Sequence, residues 1–286
     1  MTSGAALALP TRDYDLDATL SSGQVFAWEQ TAAGWTGVIQ GRWVRIESTS
    51  AGLLAQATQP QNDWSWLRHF LQIDVDLTAV LATFPQDDPH LKAAVAACRG
   101  LRLLRQDPWE CLAGFILSST KQIVQIRQIV RLLCQRYGEP VAGPSGTATI
   151  ASFPSAQRLA ALTESDLRAC KMGFRAPYLL ATARAIAGGE IGLDRLGQLD
   201  LTEAHAELLK LPGVGEKIAN CVLLFAYGFP AAFPIDVWVL RVLRERYFRG
   251  RKIAPARMQK FGARHFGPPA GYAQQYLFHH IRTAAR

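Results

Sequence analysis

The stretch Leu211-Pro-Gly-Val-Gly-Glu-Lys-Ile-Ala-Asn-Cys221 decides how the chain is organised. A periodic apolar segment at 202–210 precedes it and an apolar run at 222–227 follows it, so the pattern predicts two helices joined by a tight hairpin. Gly213 and Gly215 remove side chains where backbone N–H groups can approach an anion, and the next helix adds its positive dipole end. We therefore expect a hairpin that holds a DNA backbone through phosphate without recognising bases.

Two side chains beside this hairpin suggest chemistry. Lys217 falls in the first turn of the second helix, where the helix dipole and burial would both favour the neutral, nucleophilic amine. Asp236 stands directly before a third predicted helix, at 237–247, in the N-cap position. Each residue alone is more often ordinary, as a solvated lysine or a simple cap. Together, after a Leu-Pro-Gly-Val-Gly turn, they predict a nucleophile beside an ionised carboxylate.

Charge and hydropathy narrow the class of protein further. The 286 residues carry a formal net charge of +8, and from Arg241 onward eleven Lys and Arg stand against one acid, Glu245. Such a basic segment suits the neutralisation of phosphates, although a solvated helix face is the plain alternative. The sequence contains no run of about 18 apolar residues and therefore predicts no membrane span. The first residues lack the basic start and long apolar block of a secretory signal.

The cysteines indicate the compartment and argue against a metal site. Five of them are scattered without a Cys-x-x-Cys pair: Cys98, Cys111, Cys134, Cys170 and Cys221. This pattern favours neither a disulfide framework nor a zinc or iron–sulfur site. We expect a reduced, intracellular environment in association with DNA, and a monomer.

The periodicity predicts a mixed α+β fold. Residues 1–100 form an N-terminal domain with an antiparallel sheet and packed helices, with a hairpin of 35–39 and 42–46 around Gln40-Gly41 and a further strand at 53–59. Residues 101–286 form a mostly helical helix-hairpin-helix domain whose last helix, 271–282, returns to the cleft between the domains. The remaining helices are predicted at 64–72, 77–84, 91–98, 110–117, 123–137, 155–162, 165–171 and 177–187.

These residues resemble the helix-hairpin-helix DNA glycosylases with a Gly/Pro-rich loop and an aspartate, the HhH-GPD superfamily. The chain is most similar to the 8-oxoguanine DNA glycosylase/AP lyase branch, from residue 16 to residue 278. Three further segments carry the resemblance: Ser22-Gly-Gln-Val-Phe-Ala-Trp28, Gly100-Leu-Arg-Leu-Leu-Arg-Gln-Asp-Pro-Trp-Glu-Cys-Leu112 and Gly173-Phe-Arg-Ala-Pro-Tyr178.

The resemblance implies a bifunctional DNA repair enzyme acting on duplex DNA that contains an oxidised purine. The Lys217 amine would attack the sugar C1′, expel the base as a Schiff base forms, and allow β-elimination to nick the strand. Asp236 would stay ionised and stabilise positive charge that develops on the sugar. The base itself would be flipped out of the duplex into the cleft between the domains.

The resemblance also implies how the lesion is recognised. The carbonyl of Gly23 would accept from N7–H of 8-oxoguanine, a proton that guanine lacks, and leaving such a group unpaired costs about 1–3 kcal/mol. Gln274 would meet the Watson–Crick edge, and Phe278 and Cys221 would lie against the two faces of the base. From the residues alone, Phe278 and Cys221 are equally well explained as core side chains.

The implied DNA contacts depart from the common pattern of this branch. Ser118-Ser-Thr-Lys-Gln122 stands where the branch commonly has a run of asparagines that touches the cytosine opposite the lesion, and Thr120, Lys121 and Gln122 can still hydrogen-bond there. Gln125 stands where an arginine to that cytosine is usual. Arg175 is retained as a second contact to that base, Phe174 replaces a tyrosine wedge, and Trp238 replaces a histidine that contacts phosphate. We expect a weaker preference for cytosine opposite the lesion.

Two other functions remain open at this point. One is a glycosylase for another damaged purine, such as an alkylated base, which would not need the amine of Lys217. The other is a non-catalytic helix-hairpin-helix module that binds DNA and recruits partners. No organic cofactor and no catalytic metal is expected, and the resemblance implies a structural cation on the hairpin carbonyls.

Overall fold

The computed structural model describes residues 5–58, 63–144 and 149–284, and its architecture is mixed α+β as the sequence predicts. The strands of the main sheet are β1 (Ala5–Pro10), β2 (Glu29–Thr31), β3 (Gly34–Ile39), β4 (Arg42–Thr49) and β5 (Gly52–Ala57). They form one antiparallel sheet in the order β1-β5-β4-β3-β2. A short pair, β6 (Pro140–Val141) and β7 (Ile150–Ala151), lies in the helical half of the chain.

The hairpin between β3 and β4 confirms the prediction from the alternating pattern. Ile39 pairs with Arg42, and the two residues between them, Gln40 and Gly41, have φ of +49° and +73°. Two successive residues with positive φ make the tight turn whose twist suits antiparallel strands. The turn therefore sets the register that turns the side chains of Trp35 and its partner Ile46 into the core.

β1 is a strand that the sequence pattern did not predict. Its Ala and Leu residues favour a helix as readily as a strand, and it lies at the sheet edge, paired with β5. β5 itself confirms the strand predicted at 53–59, of which residue 59 lies outside the described residues.

Most of the helices lie in the predicted segments, but three, Leu16–Ser21, Leu193–Leu196 and Pro255–Phe266, were not predicted. The helices are α1 (Leu16–Ser21), α2 (Ser65–Leu71), α3 (Leu77–Ala82), α4 (Pro89–Ala97), α5 (Pro108–Leu117), α6 (Ile123–Tyr137), α7 (Ala156–Ala160), α8 (Glu164–Arg168), α9 (Ala176–Ala187), α10 (Leu193–Leu196), α11 (Leu201–Leu209), α12 (Glu216–Val222), α13 (Val237–Val242), α14 (Pro255–Phe266) and α15 (Ala270–Ala284). α12 and α13 each continue as a wider π-helical turn, Leu223–Tyr227 and Leu243–Tyr247. In the described chain, no helix is both long and apolar enough to cross a membrane.

The buried apolar residues of the described chain form two separate cores. The smaller core lies between the sheet, α1 and α2, and the larger one lies among the helices of the second half. α4 packs against α15, and Phe84, which follows α3, meets Tyr276 edge to face at 6.4 Å. α3 and α4 therefore join the larger core although they precede residue 100, and the domain boundary at 100/101 stays a prediction.

The hairpin between α11 and α12 is fixed from both sides. Thr182 on α9 donates its hydroxyl to the carbonyl of Pro212 at 2.8 Å. Asn220 on α12 donates to the carbonyl of Glu216 at 2.8 Å and accepts from the N–H of Phe233 at 3.1 Å. Because Phe233 lies shortly before α13, these bonds hold the hairpin and the start of α13 together.

Candidate active site

Lys217 lies in the first turn of α12, as the sequence predicts, with Gly215 as the N-cap residue. Its ammonium nitrogen Nζ donates to Ser118 Oγ at 2.7 Å and lies 5.0 Å from the centre of the Phe115 ring. Ser118 is the C-cap of α5, so the lysine reaches from one helix start to the end of another. Both α5 and the Phe115 ring thus support the amine directly.

Asp236 is the N-cap of α13, which confirms its predicted position. Its Oδ1 accepts from the N–H groups of Trp238 at 3.0 Å and Val239 at 2.8 Å. Burial raises the pKa of Asp236, while the two amides and the positive charge of Lys217 oppose that rise. No ion pair joins Lys217 to Asp236, both of which the structure describes, so the two charges interact over more than ion-pair distance.

Cys221 lies one turn beyond Lys217 on α12 and is 3% exposed. Burial raises the pKa of the Cys221 thiol to about 12, with Lys217 lowering it and Asp236 raising it. The thiol is therefore neutral and cannot compete with Lys217 as the nucleophile. Its electrostatic coupling to both residues places it in their neighbourhood.

The residues predicted to bind the base form a second group. Gly23 has φ +82°, and a Cβ on it would lie 2.5 Å from Ile123 Cδ1 and 3.6 Å from Phe278 Cε1. Gln274 lies one turn before Phe278 on α15 and is 4% exposed. Its Oε1 is buried and has no hydrogen-bond partner among the described residues, so it is available to a ligand.

A short loop links the two groups. Lys217 bonds to Ser118 at the end of α5, and Gly23 meets Ile123 at the start of α6. The six residues 118–123 thus touch the amine at one end and the glycine at the other. The sequence-predicted residues Thr120, Lys121 and Gln122 all lie in this loop.

Thr120 is bonded to Arg175. The Arg175 guanidinium donates through Nη2 to Thr120 Oγ1 at 2.6 Å and through Nη1 to the carbonyl of Met172 at 3.2 Å. Thr120 itself has φ +55°. Arg175 is 2% exposed, and its guanidinium lies 4.2 Å from the centre of the Phe174 ring, which is 54% exposed. The Phe174 ring is thus exposed, and the Arg175 guanidinium is held against it.

Gln125 has a local role as a helix cap. Its Oε1 accepts from the backbone N–H of Gln122 at 3.1 Å, at the start of α6. Lys121 is half-buried and Gln122 is exposed. Gln122 is therefore exposed in this loop, and Gln125 stabilises the start of α6.

The two hairpin glycines, Gly213 and Gly215, differ in whether the structure could accommodate a side chain at their position. Gly213 has φ +77°, and a Cβ there would lie 2.7 Å from Tyr178 Cβ, so this position tolerates only glycine. A Cβ on Gly215 would meet nothing within 4 Å. Gly215 is exposed at the N-terminus of α12, and Trp238 is half-buried at the start of α13. The start of α12 is exposed and has no side-chain cap, whereas Asp236 already accepts from the N–H groups of Trp238 and Val239 at the start of α13.

Sequence reasoning missed Ser118 and Phe115 as partners of Lys217. The bond between Lys217 and Ser118 joins positions 99 residues apart. Neither residue belongs to a recognisable motif, and the only sequence signal was their place beside the loop that departs from the family pattern. No group of three or more His, Cys, Asp or Glu side chains that could hold a metal occurs in residues 5–58, 63–144 and 149–284.

The fold and the site together define a base excision DNA glycosylase. Residues 113–266 match the family described as HhH-GPD superfamily base excision DNA repair protein, and residues 6–112 match the 8-oxoguanine DNA glycosylase N-terminal domain. The chain belongs to the 8-oxoguanine DNA glycosylase branch of the HhH-GPD superfamily, which confirms the resemblance stated from its motifs.

Several known proteins are similar over nearly the whole chain. The probable N-glycosylase/DNA lyase of Methanothermobacter thermautotrophicus is 30% identical, over 97% of this chain and 96% of that protein. The N-glycosylase/DNA lyase OGG1 of Arabidopsis thaliana is 31% identical, over 95% of this chain and 78% of that protein. A crystal structure of the Clostridium acetobutylicum 8-oxoguanine glycosylase/lyase, with duplex DNA containing cytosine opposite 8-oxoG, has a TM-score of 0.88 at 29% identity, over 96% of this chain and 93% of that chain.

Proposed function

We propose that this protein excises 8-oxoguanine from duplex DNA and then cleaves the strand at the abasic site. The observation that carries the proposal is the placement of Lys217 in the first turn of α12 with the charge of Asp236 beside it. A lysine amine at this position supplies lyase chemistry, and an N-cap carboxylate supplies electrostatic stabilisation. The similarity to N-glycosylase/DNA lyases over nearly the whole chain supports both activities.

Lys217 is the proposed nucleophile. Its neutral amine forms a bond to C1′ while the bond from C1′ to the base nitrogen breaks, and the electron pair leaves with the base. The nitrogen lone pair then expels O4′ from C1′ as the sugar ring opens, which gives the protonated Schiff base, and O4′ becomes a hydroxyl by taking up the proton that the amine released. Removal of a C2′ proton then expels the 3′ phosphate by β-elimination. The neutral, buried thiol of Cys221 takes no part in bond making.

Asp236 is the proposed electrostatic stabiliser. Positive charge develops on the sugar as the base departs, and an ionised carboxylate held in a site with little water lowers the energy of that state. The two amide bonds from Trp238 and Val239 fix one carboxylate oxygen and help to keep the group charged. Asp236 is not required to accept the proton of Lys217 in this scheme.

Gly23, Gln274, Phe278 and Cys221 are the proposed base-recognition residues. The unpartnered Oε1 of Gln274 supports this assignment because a buried acceptor without a donor costs about 1–3 kcal/mol, and a ligand that donates would relieve that cost. The Gly23 position, packed against Ile123 and close to Phe278, supports a narrow slot for a flat base.

The exposed helix starts and the basic segment are the proposed DNA-backbone contacts. Gly213 and Gly215 lie at the uncapped start of α12, where backbone N–H groups can meet a phosphate. At the start of α13 the backbone N–H groups are taken by Asp236, so the side chain of Trp238 is the proposed contact there. Exposed cations continue beyond α13 and onto α14: Arg241, Arg246, Arg249, Arg251, Lys252, Arg257, Lys260 and Arg264. We further propose that the protein acts as a monomer inside the cell, and that a structural cation sits on hairpin carbonyls, where Leu211 O accepts one internal bond.

Measurement of strand nicking tests this proposal against its alternatives. We expect nicking of a duplex that contains 8-oxoguanine and none of duplexes that contain an alkylated purine or only normal bases. Release of an alkylated base without nicking would favour the other purine glycosylase. Binding without release of any base would favour the non-catalytic module, which Lys217 and Asp236 together disfavour.

A further inference from the structure

The end of α5 forms a socket around the amine of Lys217. Ser118 Oγ donates its own proton to the carbonyl of Phe115 at 2.7 Å, so the Oγ lone pairs point away from α5 and accept from Lys217 Nζ. The ring of Phe115 supplies the other wall.

The socket is rigid. Phe115 is 3% exposed, stacks on Phe225 with ring centres 5.5 Å apart, and meets Phe26 edge to face at the same separation. Fixing the amine of a lysine costs much of the rotamer entropy of its side chain. Because the acceptor here is rigid, that entropy is already lost before DNA binds. Ser118 and the ring occupy two of the directions around Nζ, so a substrate must approach the amine from another.

We propose that Ser118 is a positioning residue for the reaction, which rests on Lys217 being the nucleophile. When the amine is neutral, its N–H bond to Ser118 turns the lone pair away from α5 and toward the cleft where C1′ of the flipped nucleotide arrives. Ser118 touches neither the DNA nor the reacting carbon in this role. Its hydroxyl sets the direction from which the amine attacks.

A purely structural role of Ser118 predicts a different experimental outcome from a positioning role. If Ser118 only caps α5 through its bond to Phe115 O, removing the hydroxyl lowers stability and leaves the rate of the folded enzyme unchanged. A positioning role lowers the rate of base excision at saturating enzyme and leaves the affinity for DNA unchanged. The two roles separate in a single-turnover experiment.

Four proteins make this test: wild type, Ser118→Ala, Ser118→Thr and Ser165→Ala. Ser165 is the matched control because it is exposed on α8 and its hydroxyl makes no hydrogen bond with the described residues. We expect Ser118→Ala to excise 8-oxoguanine about tenfold more slowly at saturating enzyme, with duplex Kd unchanged. Ser118→Thr restores the rate to within about threefold of wild type, and Ser165→Ala matches wild type.

Three results would overturn the positioning role. They are a wild-type rate in folded Ser118→Ala, a loss that appears in Kd alone, and a Ser118→Thr enzyme as slow as Ser118→Ala. Should Ser118→Ala not fold, Ser118→Cys takes its place, since a thiol of similar size is a weak acceptor and gives the same slowing. An inactive wild type, by contrast, overturns the proposed function itself.

Discussion

Arg175 and Thr120 are bonded at 2.6 Å, through Nη2 of the guanidinium and the threonine hydroxyl. The bond crosses from the short 3-10 turn before α9 to the loop that follows α5. Arg175 is thus held in place by a residue that stands where asparagine is common in this branch. Thr120 therefore helps to orient Arg175, which we propose as a contact to the base opposite the lesion.

Removing that hydroxyl is expected to weaken recognition of the opposite base. Thr120→Val keeps the shape of the side chain and frees Nη2 of Arg175, so the ratio of excision rates opposite cytosine and adenine falls about three- to tenfold. Single-turnover rates on the two duplexes measure this ratio. Thr83→Val, which removes an exposed hydroxyl at the end of α3, serves as the control. An unchanged ratio would show that Thr120 does not orient Arg175.

The raised pKa of Asp236 predicts where the excision rate falls on the acid side of its pH profile. Because burial raises the pKa of this carboxyl, it takes up its proton at a higher pH than an ordinary aspartate. As pH is lowered, the excision rate should therefore begin to fall at a higher pH than that at which an exposed aspartate titrates. Asp236→Asn keeps the helix cap and should excise about 10²- to 10³-fold more slowly at neutral pH. An acid limb at the ordinary aspartate value would contradict this account.

The same group makes a prediction about stability. The folded protein binds more protons than the unfolded chain between the ordinary and the raised pKa of Asp236, so its free energy of unfolding falls as pH rises through that window. Asp236→Asn has no carboxyl to titrate at this position, so its free energy of unfolding does not fall in this window for that reason. The stability of Asp236→Asn relative to wild type should thus increase with pH, as urea unfolding at several pH values can measure. A difference that does not change with pH would contradict the raised pKa.

Asp88 is expected to stabilise the packing of α14 on α4. Its Oδ2 accepts from Tyr247 at 2.9 Å and contacts His265 Nε2 at 2.8 Å. Burial raises the pKa of Asp88, but the amide of Leu91 and these two partners outweigh it and leave that pKa lowered. The resulting stability is present at neutral pH and is lost as pH falls through the lowered value.

Asp88→Asn tests this prediction while preserving the helix cap. It should lower the free energy of unfolding at neutral pH by about 1–3 kcal/mol, and the cost should shrink in acid. Asp87→Asn, an exposed neighbour, should have little effect. Equal stabilities of the two variants would show that Tyr247 and His265 contribute nothing through Asp88.

Much of the fold followed from the sequence because its signals are local. Gly and Pro at the hairpin, Asp236 before α13 and Gln40-Gly41 between β3 and β4 each act over a few residues. Contacts between distant positions were not predictable in the same way. The Lys217–Ser118 and Arg175–Thr120 bonds join residues 99 and 55 positions apart, and they depend on how helices pack. β1 was missed because its composition does not distinguish a strand from a helix.

Reduction with sodium borohydride during the reaction tests the central claim, that Lys217 forms a covalent bond to the sugar. Wild type and Lys92→Gln, which removes an exposed lysine from α4, should form an adduct with a duplex that contains 8-oxoguanine. Lys217→Gln should bind that duplex and form none. An adduct that persists in Lys217→Gln, or base release by wild type without any adduct, would contradict the account.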